Sequence, residues 1–268
     1  MKNELIYAII PTNQLSSRIN NSKKIFQGEK MREYFEKIES DTAKSFYKRV
    51  KTAIAEEKKM FIITANPETI MIAEKDDEFK NIILNKDATV VADGIGIIKG
   101  AKMLNIPLEN RVLGIELAAK TLEYCNELEK SIYLFGAQEE VIQKMKGLIK
   151  EKYPKAKLVG FTNGYVKDKD IIFEDIKQKN PDVILVALGI PVQEKLISKY
   201  YDKFSKGIFI GVGGSFDVIS GIKKRAPKLF LNLKLEWLYR IITEPKRLKR
   251  FWNSNIKYIL KIRKEKKR

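Results

Sequence analysis

From Met60 onward, short apolar runs recur along the chain, each followed by a helix-patterned segment. No other feature restricts the fold as much. The runs are Met60–Thr64, Ala88–Ala92, Ser131–Phe135, Lys157–Phe161, Asp182–Leu188 and Gly207–Gly211. Several are apolar throughout instead of alternating, as parallel strands covered on both faces are. Amphipathic stretches such as Glu139–Lys150 lie between them, and Tyr153-Pro154 stops that one. Strand, helix, strand repeated this way predicts an α/β fold with a Rossmann-like, doubly wound and mostly parallel sheet. Such sheets bind ligands beyond the carboxyl ends of their strands. The residues just after each run are therefore the candidates for chemistry.

Two regions fall outside the alternation. Residues 1–50 hold a candidate strand, Leu5–Ile10, then a polar stretch with Asn20-Asn21, and Ser40 or Asp41 as cap for a later helix. Residues 227–268 read as two helices split by Glu244-Pro245. Leu235, Leu238, Tyr239 and Ile242 fall at helical spacing, with Lys234, Arg240, Lys246, Arg247 and Arg250 interleaved. Of the net charge of +18, residues 223–268 carry +14, from 17 Lys/Arg against three acids; the preceding 222 residues carry +4. The chain thus divides into an α/β body, 1–226, and a basic amphipathic helical appendage, 227–268. A near-neutral body with a basic tail fits a docking surface for nucleic acid or anionic lipid, and a solvated Lys-rich helix is the plain alternative. An appendage with one apolar face can also pack on a second copy, giving a homo-oligomer.

Composition removes several chemistries. The apolar fraction of 44% and aromatic fraction of 10% are globular, and no run reaches the ~18 apolar residues of a spanning helix. The N-terminal MKNELIYAIIPTNQ has neither the apolar core nor the cleavage site of a signal peptide. Cys125 stands alone, which excludes an internal disulfide and fits a reducing cytoplasm. There is no histidine, so Ser-His-Asp and Cys-His catalysis and His-ligated zinc are ruled out. Acid–base work falls to carboxylates, Lys or Tyr.

The strand ends carry polar residues in telling positions. Thr64 and Asn66 offer a hydroxyl and an amide for sugar or phosphate oxygens, although Asn66 before Pro67 also reads as a helix N-cap. Asp93 opens Asp-Gly-Ile-Gly-Ile-Ile-Lys-Gly100, where its carboxylate can take a proton from a hydroxyl or cap the next helix. Those glycines miss the dinucleotide fingerprint by one residue, and no acidic ribose partner stands in Ile106–Asn110, which weighs against a nicotinamide enzyme. After the fifth run, Gln193 and Glu194 start a helix toward the same crevice. After the sixth, Gly211, Gly213 and Gly214 crowd a strand-to-helix turn suited to turning N–H groups toward a phosphate. No P-loop follows, since Ser215 and Phe216 stand where it would continue.

Six motifs in register, ITANPE, ADGIGII, RVLGIEL, LVALGIPVQEK, GVGGSFDVISGIKKRAP and LEWLYRIITEPKRLKR, resemble the WecG/TagA/CpsF family of bacterial glycosyltransferases from about Met60 to Arg250. Residues Pro11 to about Glu36 depart from it, as an insertion or diverged segment. The resemblance implies inverting transfer of a sugar, most often N-acetylmannosamine, from a UDP donor to undecaprenyl-diphosphate-linked N-acetylglucosamine, in teichoic acid-type cell-wall synthesis. Another UDP-hexose, for capsule or exopolysaccharide, is the alternative within the family. Inversion needs one in-line attack and one general base, which the motif places at Asp93. Thr64, Asn66, Arg111, Gln193 and the glycines 211, 213 and 214 become substrate contacts. No metal or other cofactor is implied, so the leaving UDP is met by N–H groups and Arg. Arg240, Arg247 and Arg250 are matched to the lipid diphosphate or the anionic inner face of the membrane, where the protein sits peripherally on the cytoplasmic side. A basic nucleic-acid-binding protein is the alternative from another class, but no reading motif is present and none is expected as partner.

Overall fold

The structure, a computed structural model, describes residues 31–233 and 235–267. Six strands form one sheet: β1 (Lys59–Ala65), β2 (Ala88–Ala92), β3 (Ser131–Gly136), β4 (Lys157–Thr162), β5 (Val183–Ala187) and β6 (Gly207–Gly211). Their order is β2-β1-β6-β5-β3-β4 and every pairing is parallel. The central strands β5 and β6 are buried at every residue, which is why their sequences show no alternation. The fold is Rossmann-like, doubly wound and wholly parallel in its sheet.

Two helical layers cover the sheet. One contains α1 (Arg32–Lys37), α3 (Pro67–Ala73), α4 (Asp77–Leu84), α5 (Ile95–Met103), α8 (Lys169–Lys179) and α9 (Val192–Tyr201). The other contains α2 (Ala43–Ala55), α6 (Gly114–Glu127), α7 (Glu139–Lys152) and the short α10 (Ser215–Ile219). The helix after β1 and the helix after its neighbour β6 leave toward opposite layers, which opens a crevice at those strand ends. Asp93, Thr64 and the glycine turn after β6 all come from there.

At the N-terminal side the cap of α2 is Thr42, one residue beyond the two proposed from sequence. Thr42 holds an extended backbone (φ −63, ψ 150) and its hydroxyl accepts from Ser45 N at 3.1 Å. Asp41 instead pairs with Arg49 at 3.2 Å. The candidate strand Leu5–Ile10 and the Asn20-Asn21 stretch lie outside the described residues.

The tail breaks at Glu244-Pro245 as its sequence requires, but into more pieces than two: α11 (Lys228–Asn232), α12 (Glu236–Thr243), α13 (Arg247–Phe251), a π-helical turn (Trp252–Ile256) and α14 (Lys257–Lys266). Ring contacts Phe230–Tyr239 (5.5 Å) and Trp237–Phe251 (4.8 Å, stacked) tie α11 to α12 and α12 to α13. Leu229, Leu233, Trp237, Ile242, Leu248 and Trp252 remain exposed. The last helix behaves differently: α14 packs on α3 and α5 and puts Tyr258 and Ile262 into the body's core. Among the described residues no helix is long and apolar enough to cross a membrane.

Candidate active site

Asp93 follows β2, and its backbone N–H still reaches Ala65 O at 2.9 Å, so the residue is fixed by the sheet itself. The helix beginning just after it is N-capped by Gly94 without any side-chain bond. The Asp93 carboxylate is therefore not that helix's cap. Its Oδ1 accepts from Gly114 N at 2.8 Å, the first residue of α6, across the loop that returns beside β2. Its Oδ2 makes no hydrogen bond among the described residues. One oxygen is anchored and the other is available. Burial pushes this carboxyl above the usual range. The Gly114 N–H and the charges of Arg240 and Arg111 oppose that rise, whereas Glu236 adds to it. A carboxylate made more basic by its surroundings and still flanked by arginines can accept a proton beside an anionic group.

Around it stand three of the residues singled out from sequence. Thr64 lies at the end of β1 with its hydroxyl against Gly114; a Cβ there would come within 3.3 Å of Oγ1, a tight contact that glycine avoids. Asn66 caps α3 in a capping box: its Oδ1 accepts from Glu68 N (2.9 Å) and Thr69 N (3.1 Å), and Thr69 Oγ1 accepts from Asn66 N. Capping uses the oxygen alone, and the amide nitrogen has no partner among the described residues. Arg111 precedes Val112, whose N–H bonds Ala92 O at 2.9 Å, and its guanidinium likewise has no bonded partner among the described residues. Sequence reasoning missed Tyr47, on α2. Its hydroxyl is buried without a hydrogen-bond partner among the described residues, and burial together with Glu116 and Asp93 pushes it up to about 12. Nothing in the residues near Tyr47 marks it, because α2 reaches the site only through the folded layer.

The glycine turn after β6 is partly bonded from within the protein. Val212 N bonds Val186 O, Ser215 N bonds Val212 O, and Gly213 N bonds Gln193 Oε1 at 3.1 Å. These three N–H groups of the turn are therefore satisfied within the protein. What it offers is room: Gly213 has φ +48, and nothing lies within 4 Å of where its Cβ would be. Gly214 is the N-cap of α10. Gly211 is glycine because a Cβ would stand 2.5 Å from Gln193 Nε2 and 3.0 Å from Glu194 Oε1. Gln193 is a bracket beneath the turn. Its Oε1 also accepts from Gly189 N at 3.1 Å, and its Nε2 donates to Glu194 Oε1 at 2.7 Å. Both side chains are 2% exposed. Glu194 Oε2 has no partner among the described residues, and burial pushes the carboxyl up to about 7.

The appendage acts on the site through charge. Arg240 donates to Glu236 Oε1 at 2.5 Å within α12, and both charges are felt at Asp93. The residue matched from sequence to the membrane side thus also lowers the pKa of the body's central carboxylate. Arg247 and Arg250 lie on α13, and their side chains are outside the described residues. The start of the appendage is tied down by Lys223, 3.5 Å from both Asp217 and Glu244, and by Arg225, 2.7 Å from Glu116. The glycines after Asp93 are packing positions: Gly96 lies against Pro67, and Gly100 against Tyr258 and Phe35. That accounts for their spacing without a dinucleotide.

A lone basic carboxylate with arginines around it, at the strand ends of a doubly wound sheet, suits an enzyme acting on an anionic, nucleotide-like substrate. The comparisons narrow this class: the chain belongs to the glycosyl transferase WecG/TagA/CpsF family, whose model matches residues 35–268. It is 40% identical over 206 residues to the N-acetylglucosaminyldiphosphoundecaprenol N-acetyl-beta-D-mannosaminyltransferase of Bacillus subtilis (strain 168), covering 77% of this chain and 80% of that one. The similarly named protein of Bacillus spizizenii (strain ATCC 23059 / NRRL B-14472 / W23) is 36% identical over 207 residues, with the same coverage. That of Staphylococcus aureus (strain NCTC 8325 / PS 47) is 33% identical over 234 residues, covering 86% of this chain and 91% of the relative.

Proposed function

We propose that this chain transfers N-acetylmannosamine from a UDP donor to undecaprenyl-diphosphate-linked N-acetylglucosamine, with inversion, in building a teichoic acid-type linkage unit. The names of its relatives supply the acceptor and the β-linked product. The observation that carries the chemistry is Asp93, with Oδ1 held by Gly114 N and Oδ2 left open. Oδ2 takes the proton from the acceptor hydroxyl as its oxygen attacks the anomeric carbon. The bond to UDP breaks on the opposite face, and no covalent enzyme intermediate is needed. Negative charge on the departing diphosphate is met by Arg111, with Arg240 brought in by the appendage. Thr64, the Asn66 amide nitrogen and the open approach at Gly213 are the contacts proposed for the donor. Gln193 shapes that approach from beneath.

The exposed apolar residues of α11–α13, set among basic ones, fit a helical segment lying in the interface of an anionic membrane. There Arg247 and Arg250 meet the acceptor's diphosphate, whose oxygens the guanidinium fork binds in pairs. The experiment is transfer to a polyprenyl-diphosphate-N-acetylglucosamine analogue from a panel of UDP-sugars. UDP-N-acetylmannosamine should be the donor used, with a β-linked product. Transfer from another UDP-hexose alone would change the sugar and keep the site, whereas no transfer from any donor would remove the proposal.

A further inference from the structure

Between Ala226 and Ser254 no described side chain is buried, and α12, which carries Arg240, has none. A segment without buried side chains does not hold its own position, so what fixes it must lie at its ends. At the near end stand the ion pairs of Lys223 and Arg225, all between side chains partly in solvent and therefore weak. The far end is of another kind. Tyr258 is 1% exposed and Ile262 0%. The Tyr258 hydroxyl donates to Gly96 O at 3.3 Å, and Lys261 pairs with Glu74, which also accepts from Tyr34 Oη at 3.0 Å. A Cβ on Gly100 would stand well inside contact distance of the Tyr258 hydroxyl and 3.0 Å from Phe35 Cζ. Position 100 is thus a notch cut for that ring.

The notch lies on α5, whose N-cap directly follows Asp93. Anchor and central carboxylate therefore share one rigid element. We infer that the Gly96–Gly100 notch and Tyr258 are the far anchor of the appendage, which makes Tyr258 a positioning residue that sets Arg240 over Asp93. This rests on the reading that Arg240 takes part in transfer. The spacing of the glycines, which no nucleotide explains, is then the spacing of a helix seat.

The test uses the full-length chain with two readouts. Spin labels on cysteines replacing the exposed Ile242 and Glu140 report the distance between appendage and body, since the buried Cys125 escapes labelling. Tyr258→Ala and Gly100→Ala should broaden that distance distribution, and Tyr258→Phe, which keeps the ring, should not. In the assay above, Tyr258→Ala should lower kcat about tenfold or more while donor KM stays within about twofold, which also shows the body folded. Arg240→Ala combined with Tyr258→Ala should be no worse than the more damaging single change, because both remove the same interaction. An unchanged distance distribution in Tyr258→Ala overturns the anchor whatever Arg240 does, and so do kinetic losses that multiply. A broadened distribution with Arg240→Ala at full turnover keeps the anchor and removes the reading of Arg240.

Discussion

The body and the appendage use the same kinds of residue to opposite ends. In the sheet, Ile, Val, Leu and Phe vanish from solvent: Leu134, Leu185 and Ile210 are all 0% exposed. From α11 to the π-helical turn, Leu229 is 67% exposed, Ile242 61% and Trp252 60%. The body's apolar groups are held by each other, whereas these side chains of the appendage stay largely in solvent and lie among basic residues. The first region is fixed by burial. The second leaves its apolar groups exposed, as the proposed membrane contact requires. Asp93 lies on the seam between them, anchored by the body through Gly114 and influenced by the appendage through Arg240 and Glu236.

The largest effect should come from the seam. Asp93→Asn keeps an oxygen for the Gly114 N–H but cannot take a proton, so turnover should fall by about 10²–10⁴. Donor binding, measured by calorimetry, should stay close to normal. Turnover that survives would move the base elsewhere. Next comes the body. Leu134→Ala should destabilise by about 2–5 kcal/mol in urea unfolding, since it leaves a void in a fully buried layer.

Glu194 gives a pH-dependent version of the same point. Its folded pKa, about 7, lies above its ordinary 4.5. Below about 4.5 both folded and unfolded chains hold the proton, and burial carries no penalty. As pH rises toward 7 the unfolded chain ionises first, so stability falls, and it levels off above 7. Glu194→Gln removes that loss. The variant should unfold at higher urea than the parent at pH 8, by up to roughly 3 kcal/mol, and the gap should shrink at pH 5. An equal gap at both pH values would mean that the carboxyl is not held neutral by burial.

Much of the body was legible in the sequence because its strands are buried on both faces, and such runs announce themselves. Asp93, Thr64 and Asn66 were singled out because strand ends are where a doubly wound sheet presents ligands. The internal bonding of the glycine turn was not legible, for a physical reason. Three glycines promise free N–H groups, but the side chain that satisfies Gly213, Gln193, stands twenty residues away in the first turn of α9. Tyr47 was invisible because a phenol on an amphipathic helix looks like any core aromatic until the layer is assembled. The role of Gly100 was hidden in the same way, since its partner Tyr258 is far off in a tail whose composition speaks only of solvent and charge.

The smallest change in stability belongs to the appendage, and it is the sharper half of the comparison. Ile242→Ala removes apolar carbons of the kind Leu134→Ala removes, but from a side chain 61% exposed. Urea unfolding should move by no more than about 0.5 kcal/mol, as for exposed positions generally. Binding to vesicles rich in anionic lipid should weaken roughly tenfold, because each methylene withdrawn from the interface forfeits up to ~0.8 kcal/mol. Raised salt should weaken the parent and the variant alike, since the basic residues are untouched. If Ile242→Ala instead destabilises the fold as Leu134→Ala does, the appendage is packed on protein and the contrast fails. If vesicle binding is unaffected while stability also holds, the exposed apolar face serves another surface, and a second copy of the chain becomes the occupant to measure by its oligomeric state.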